Sequence, residues 1–386
     1  MSLNRTLRRV APVYLGLLIW SIASAISING PVMPLYIKSL GIGVVGWGVL
    51  AAAWAAGMFL VEWVWGSLTE TRDRRWLMVI SALSMSALLA LFTVRALIPI
   101  FIVLMLLSGA MGVATGPTTR AYITDEAPEK SVGLYASLWW ASFLLGQVIG
   151  PIAGSYIAQT WSFEYSFYAS SILAIVLAFF VLLAFPTDKK RASRRRETNI
   201  IKGIGTVLGL RSVRLLFLSA VLVFIARSLV ITFLPLYAST VIKMSTLQVG
   251  ILLATISGTQ LVSMPALGWL SDRFGLKRTA VLSYTLAGLL VLLYFLAGTV
   301  YQVFLVSIAV GIGLSGLFLL LALVPTVASK EVYGRVIGAY GSCEDLGIVI
   351  GPIIYGLVWS TYGPIYIFAV CALTQLLGAL LVLGIE

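Results

Sequence analysis

Gly66-Ser67-Leu68-Thr69-Glu70 is answered 202 residues later by Gly268-Trp269-Leu270-Ser271-Asp272, with glycine, leucine, hydroxyl and carboxylate in the same places. Pro34-Leu35-Tyr36 returns as Pro235-Leu236-Tyr237, and Gly146, Gly150 and Pro151 return as Gly347, Gly351 and Pro352, each at an offset of 201. One nearly constant offset across so many residues means two homologous halves. Both halves are almost wholly apolar, which is the internal repeat that secondary transporters carry.

Composition sets the solvent. Apolar residues make up 60% of the 386-residue chain and charged residues 10%, against roughly half and a quarter in soluble domains. Mean hydropathy is +1.04. Stretches such as Ile98–Leu107 and Ile172–Phe185 are too uniformly apolar for the alternating strands of a β-barrel, so the chain is expected to cross the bilayer as helices. There is no histidine, and the two cysteines, Cys343 and Cys371, have no metal-ligand or disulfide spacing. No metal and no cofactor are expected.

Charge, Gly and Pro divide the chain into twelve candidate helices: 10–38, 43–68, 76–94, 97–123, 131–159, 164–185, 212–240, 246–271, 278–298, 300–325, 333–360 and 363–384. The expected architecture is an all-α membrane protein with twelve transmembrane helices in two pseudo-symmetric six-helix bundles. Its divisions are 1–185, a basic linker 186–210 carrying Lys189, Lys190, Arg191, Arg194, Arg195 and Arg196, and 211–386. With the N-terminus inside, 22 of the 26 Lys and Arg residues face the cytoplasm, which predicts both termini there. Lys38, Arg95 and Lys243 face the other way, and Arg227 falls inside the membrane. The net charge of +12 is mostly this topology signal, and no basic soluble domain exists to bind nucleic acid. The first apolar segment runs into the repeat without a cleavage-like end and is expected to be a span.

Gly268-Trp269-Leu270-Ser271-Asp272-Arg273-Phe274-Gly275-Leu276-Lys277-Arg278, between spans 8 and 9, resembles the G-x-L-x-D-R-x-G-R-[KR] loop of the major facilitator superfamily. Gly146-x-x-x-Gly150-Pro151-x-x-Gly154 in span 5 resembles the antiporter motif of that superfamily's drug–proton antiporters. The resemblance covers the whole chain and implies the major facilitator fold. It also implies a cytoplasmic gate built from Gly66, Glu70, Arg74, Arg75, Asp125, Gly268, Asp272, Arg273, Gly275, Lys277 and Arg278. In the family such contacts hold the bundles together on the cytoplasmic side. On that pattern Asp272 meets the start of span 5, Glu70 the start of span 11, and Arg74 or Arg75 pairs with Asp125. The physical roles are separable from the name. Gly66 and Gly268 are expected to let helices approach closely, Gly275 to allow a tight turn, and the cations to meet acidic groups or helix C-termini. The other reading is a set of cations anchored on lipid phosphates.

The first copy departs from the pattern. Glu70 replaces Asp, Thr71 replaces Arg, and Asp73 stands where Gly is expected, in a turn that Asp tolerates better than most residues. In span 5, Gly146, Gly150 and Gly154 form a small-residue stripe with Pro151 as a bend; Gly347, Gly351 and Pro352 repeat it in span 11, where Tyr355 takes the place of Gly154. In the family this face packs against the other bundle; plain helix packing is the alternative.

Four charges fall within spans: Glu62, Arg227, Glu344 and Asp345. Each costs roughly 2.5–3.5 kcal/mol at mid-membrane, so they must face water, pair or take up protons. They are the candidate proton and substrate residues of a central cavity; a structural ion-pair network is the alternative. Glu344 shares a helix face with Gly347 and Gly351, while Asp345 is turned about 100° away. Glu62 and Glu344 are expected to approach and form a proton site, with Arg227 partnering Asp345 or an anionic substrate group. The arginine that drug–proton antiporters usually carry in span 4 is Met105 here, and Arg120 lies too near the span's end to replace it. Trp20, Trp47, Trp54, Trp63, Trp65, Trp139, Trp140, Tyr36 and Tyr237 serve either a substrate pocket or the interfacial belt and packing.

The expectation is a monomeric secondary transporter of a plasma membrane, surrounded by the lipid bilayer. It works by alternating access and exports a small amphipathic molecule, cationic or neutral, in exchange for protons. A symporter or facilitator for an organic anion or sugar is the second reading, and a non-transporting sensor or lipid scramblase the third. No nucleotide-binding loop is present, and no enzymatic activity is expected.

Overall fold

The structure, a computed structural model, describes residues 3–94, 97–127, 132–185, 210–327 and 333–385. The basic linker, Arg95, Lys130 and Lys330 lie outside them. Among the described residues there are helices and no strand, and twelve helices are long and apolar enough to cross a membrane. Numbered as spans 1 to 12, they are Arg9–Ile26, Val44–Thr71, Arg74–Leu91, Ile98–Glu126, Leu134–Thr160, Phe163–Ala184, Arg211–Thr240, Thr246–Phe274, Leu276–Phe295, Val300–Val327, Ala339–Tyr362 and Tyr366–Leu383.

Four spans expected to be continuous are broken, each where the sequence removes a backbone donor or packs small residues. Span 1 stops at Ile26, and a separate helix, Val32–Ser39, follows Asn29-Gly30-Pro31. Span 7 breaks at Phe233, just ahead of Pro235. Span 4 breaks after Gly112 because Pro117 cannot bond the Val113 carbonyl four residues back. Span 10 passes through a 3-10 turn at Ser315–Leu317. There the Ser283 hydroxyl donates to the Gly313 carbonyl at 2.7 Å and the Tyr284 hydroxyl to the Gly316 carbonyl at 3.1 Å.

The chain forms two compact units. Unit 1 comprises Met1–Tyr36, Ala53–Arg194 and Ser245–Ala254; unit 2 comprises Ile37–Ala52, Arg195–Met244 and Thr255–Glu386. Within unit 1 span 1 packs on spans 5 and 6, and span 3 on span 6; within unit 2 span 7 packs on spans 11 and 12, and span 9 on span 12. The repeat in sequence is therefore a repeat in packing. Unit 2 includes the start of span 2, where the Trp47 indole donates to the Thr232 carbonyl at 2.8 Å and Gly48 lies against the Pro352 carbonyl. Beside it, Lys38 donates to the Ser239 hydroxyl at 3.1 Å, and burial, then Lys243, lowers its pKa below the usual lysine range. Unit 1 includes the start of span 8, where the Leu247 amide donates to Gln159 Oε1 at 2.9 Å and Gly250 lies against Pro151 and Ser155.

Candidate functional site

At the motif end of unit 1, span 2 closes at Thr71, and Asp73 caps span 3 by accepting the Arg75 amide at 3.0 Å. Asp73 has φ −66°, so the left-handed turn expected there does not form; the carboxylate caps a helix instead. In unit 2 the turn is a single residue, Gly275, with φ +92° between spans 8 and 9. Glycine is needed there because a side chain would be strained.

Arg74, rather than Arg75, pairs with Asp125, at 2.7 Å. Its Nε donates to the Thr69 carbonyl at 3.1 Å, and its guanidinium lies over the Tyr122 ring. Arg75 donates to the Leu182 carbonyl at the end of span 6, and Lys277, at the matching position, donates to the Ile385 carbonyl beyond span 12. Both cations satisfy carbonyls at a helix C-terminus. Each of these contacts is made within one unit. Glu70, Asp272, Arg273 and Arg278 are exposed, and the side chains expected to receive Glu70 and Asp272, at the starts of spans 11 and 5, lie outside the described residues. Among the described residues, a Cβ at Gly66 or Gly268 would meet nothing within 4 Å.

The glycine stripes face their own unit. A Cβ on Gly146 would lie 2.4 Å from Ser21 Cβ, on Gly150 2.5 Å from Ala25 Cβ, and on Gly154 2.1 Å from the Ile26 carbonyl oxygen, all on span 1. In unit 2, Gly347 meets Val221 and Phe224, and Gly351 meets Ser228, all on span 7. Of the two readings, the family's face toward the other bundle and plain helix packing, the glycine contacts fit the second, a seam inside each unit. Helices in lipid gain most by close van der Waals contact, and the glycines supply it on span 1 and span 7. Tyr355, in the place of Gly154, donates its hydroxyl to the Ile225 carbonyl at 3.1 Å and so stays on the seam.

Unit 2 carries three of the charged positions that fall within spans. Glu344 and Arg227 are half-buried and Asp345 is buried. The Glu344 carboxylate acts electrostatically on Arg227, on Tyr284 of span 9 and on Tyr340, one helical turn before it. Arg227, expected to partner Asp345 or an anionic substrate group, is within electrostatic reach of Glu344, which shares a helix face with Gly347 and Gly351. Tyr284 and Tyr340 are the members of this cluster that charge counting misses. The spacing Tyr340–Glu344, i to i+4 on one helix face, was the available signal. Glu62 belongs to unit 1, half-buried one turn before Gly66.

The matching place in unit 1 is aromatic. Phe143 occupies the position of Glu344, 201 residues earlier, and Trp139 that of Tyr340. Trp20, Trp139 and Trp140 surround Phe143 with ring centroids 5.9–6.4 Å from it. Met105 is buried, and Arg120 stacks on Trp139 with its guanidinium carbon 4.5 Å from the ring centroid. Among the described residues no cluster of His, Cys, Asp and Glu could hold a metal ion.

Comparison with known proteins agrees with this architecture. The family model described as Major Facilitator Superfamily matches residues 15–237 and 216–385. Multidrug resistance protein MdtG of Enterobacter lignolyticus (strain SCF1) is 26% identical over 381 residues, covering 92% of this chain and 87% of that protein. MdtG of Klebsiella pneumoniae (strain 342) is 26% identical over 380 residues, covering 92% and 89%. Among solved structures, the nucleoside transporter NupG superposes with a TM-score of 0.78 at 13% identity, covering 98% of this chain and 99% of that one. A bacterial homologue of the human lysosomal transporter Spinster, inward-facing and unoccupied, gives 0.73 at 14% identity, covering 100% and 95%. A repeated twelve-span fold, the loop motif at the end of span 8 and a family match over both halves lead to one conclusion: the chain is a membrane transporter of the Major Facilitator Superfamily.

Proposed function

We propose that this transporter exports small amphipathic compounds, cationic or neutral, in exchange for protons, by alternating access. The observation that carries the reading is the half-buried Glu344 within span 11, in electrostatic reach of Arg227, Tyr284 and Tyr340. A carboxylate in that setting can serve Arg227, a proton or a cationic substrate in turn, and exchange among them is what an antiporter requires. The relatives named as multidrug resistance proteins support the substrate class. Asp345 and Arg227 complete the set in unit 2, and Glu62 is the candidate acid of unit 1. The motif residues at the ends of spans 2 and 8 act as the cytoplasmic gate. The protein works as a monomer in the cell membrane, as bundles 1–185 and 211–386 joined by the linker 186–210, with both termini in the cytoplasm on the balance of Lys and Arg.

Arg227 favours a second reading, in which an organic anion binds the guanidinium and Glu344 relays its proton. Reconstitution in liposomes under an imposed pH gradient separates the two. Proton flux driven by ethidium, lost in Glu344→Gln and retained in a control such as Glu164→Gln, supports antiport of cations. Flux driven by organic anions alone supports the second reading, and ethidium flux that survives Glu344→Gln removes Glu344 from the mechanism.

A further inference from the structure

Gln375, in the middle of span 12, is fully buried, and among the described residues neither its amide nitrogen nor its amide oxygen has a hydrogen-bonded partner. The first repeat needs no such group. Ala174 stands at the corresponding position, 201 residues earlier, and is buried. Beside it the Ser86 and Ser171 hydroxyls bond each other at 2.8 Å, joining spans 3 and 6. Unit 2 carries Gly288 and Ala372 in their places, and a Cβ on Gly288 would lie 3.2 Å from Gln375 Cβ. A satisfied polar pair is thus replaced by an amide that no side chain or carbonyl satisfies. Leaving a buried donor or acceptor dry costs roughly 1–3 kcal/mol, and buried polar atoms of native proteins are bonded to protein or to water.

Contacts within unit 2 fix the depth of this amide. Ser219 of span 7 donates to the Gly378 carbonyl at 3.0 Å, and the Cys371 thiol donates to the Ala226 carbonyl at 3.6 Å, so Gln375 lies at the level of Leu222. Gly347 of span 11 meets Val221 and Phe224 of the same stretch. Gln375 is therefore level with Gly347, one helical turn from Glu344. On span 9, Gly288 lies one turn from Tyr284. The Glu344 carboxylate acts on Tyr284 and Tyr340, and the Tyr340 hydroxyl is a second buried polar atom that lacks a hydrogen bond of normal length and angle. Gln375, Tyr284, Tyr340 and Glu344 make one polar layer across spans 9, 11 and 12. Unit 1 fills the same four positions with Ala174, Ala82, Trp139 and Phe143.

We propose that this layer holds internal water, bound to the Gln375 amide and the Tyr340 hydroxyl, and that this water passes protons to and from Glu344. The role at Glu344 rests on the export reading above; the water site does not. Water suits these groups because one molecule both donates and accepts, as a primary amide and a phenol require. The proton step balances without another reactant. A hydrated proton yields its proton to the Glu344 carboxylate, leaving a neutral carboxyl group and neutral water, and the reverse step restores both. Gln375 takes up no proton itself; it is a positioning residue that keeps the water in place.

X-ray radiolytic footprinting of the full-length protein in nanodiscs tests the site, because hydroxyl radicals made from bound water oxidise the side chain that holds it. Tyr340 should be oxidised several-fold faster than Tyr294, which is equally buried but bonded to Ser307. Gln375→Leu should bring Tyr340 down to the Tyr294 rate. In proteoliposomes it should lower ethidium-driven proton flux about fivefold, the worth of one hydrogen bond, while equilibrium binding of ethidium changes less than about twofold. Gln375→Asn, which keeps the amide, should restore most of the flux. Tyr340 oxidised no faster than Tyr294 in the unaltered protein overturns the water site, whatever the variants do. So does a Gln375→Leu protein that melts higher and transports at the unaltered rate, the outcome expected from removing a dry amide. Fast Tyr340 oxidation with ethidium flux that survives Glu344→Gln keeps the water and removes the export reading; slow oxidation with flux that depends on Glu344 keeps the export reading and removes the water.

Discussion

The seam between spans 1 and 5 and the seam between spans 7 and 11 are one construction made twice, and they differ in what stands beside the glycines. Gly146, Gly150 and Gly154 bring span 5 onto span 1, and Gly347 and Gly351 bring span 11 onto span 7. The surroundings repeat as well. Tyr36, Phe92 and Phe167 cluster in unit 1 as Tyr237, Tyr294 and Phe368 do in unit 2. Ser81 bonds the Met111 carbonyl as Ser283 bonds that of Gly313. Yet Ile26, Ala82, Trp139 and Phe143 give way to Arg227, Tyr284, Tyr340 and Glu344. Unit 1 shows that an apolar filling satisfies this seam. The charges in unit 2 are therefore not demanded by packing, and in a membrane they carry a cost that function has to explain.

The largest effect that sharpens this comparison is at the seam glycines. Gly154→Ala sets a methyl against the Ile26 backbone, which cannot turn aside, and should cost about 3 kcal/mol. Gly351→Ala meets chiefly the Ser228 hydroxyl, which can rotate, and should cost about 1 kcal/mol, partly recovered by Ser228→Ala. Thermal unfolding in detergent reads both; equal losses would contradict the distinction between a backbone neighbour and a hydroxyl that can rotate.

A middle-sized effect separates the motif ends. Arg74→Leu removes the 2.7 Å pair with Asp125 and should cost about 1–2 kcal/mol, since Asp125 is partly open to solvent. Leu276, in the corresponding place, has no such pair to lose, so Leu276→Ala should cost less in the same assay. The smallest effect lies in the turns between spans. Gly275→Asp should cost about 1 kcal/mol because of its positive φ, whereas Asp73→Gly should cost only a few tenths because glycine is an adequate N-cap.

The repeat, the twelve spans and the loop motif were legible because each rests on local chemistry: apolar runs, prolines, glycines and clustered cations. The breaks at Val113 and Phe233 were not read, because long hydrophobic runs mask the prolines, Pro117 and Pro235, that lie beside them. What the sequence hid was direction. Glycine spacing reveals a close-packed face but not its neighbour, so the span-5 stripe left two readings open until its contacts with span 1 were seen. Asp73 stood at a glycine position, and motif matching alone cannot tell a turn from a cap. Which acid of span 11 acts on Arg227 depends on the rotation of span 11 against span 7, which one helix does not disclose.

The central claim is that the repeated residues are scaffold and the residues that break the repeat are the chemistry. Its most direct test restores the symmetry. Arg227→Ile combined with Glu344→Phe gives unit 2 the residues that unit 1 carries at Ile26 and Phe143. In proteoliposomes under a pH gradient the double variant should assemble and melt within a few degrees of the unaltered protein and show no substrate-driven proton flux. Coupled flux at the unaltered rate from a folded double variant would contradict the account.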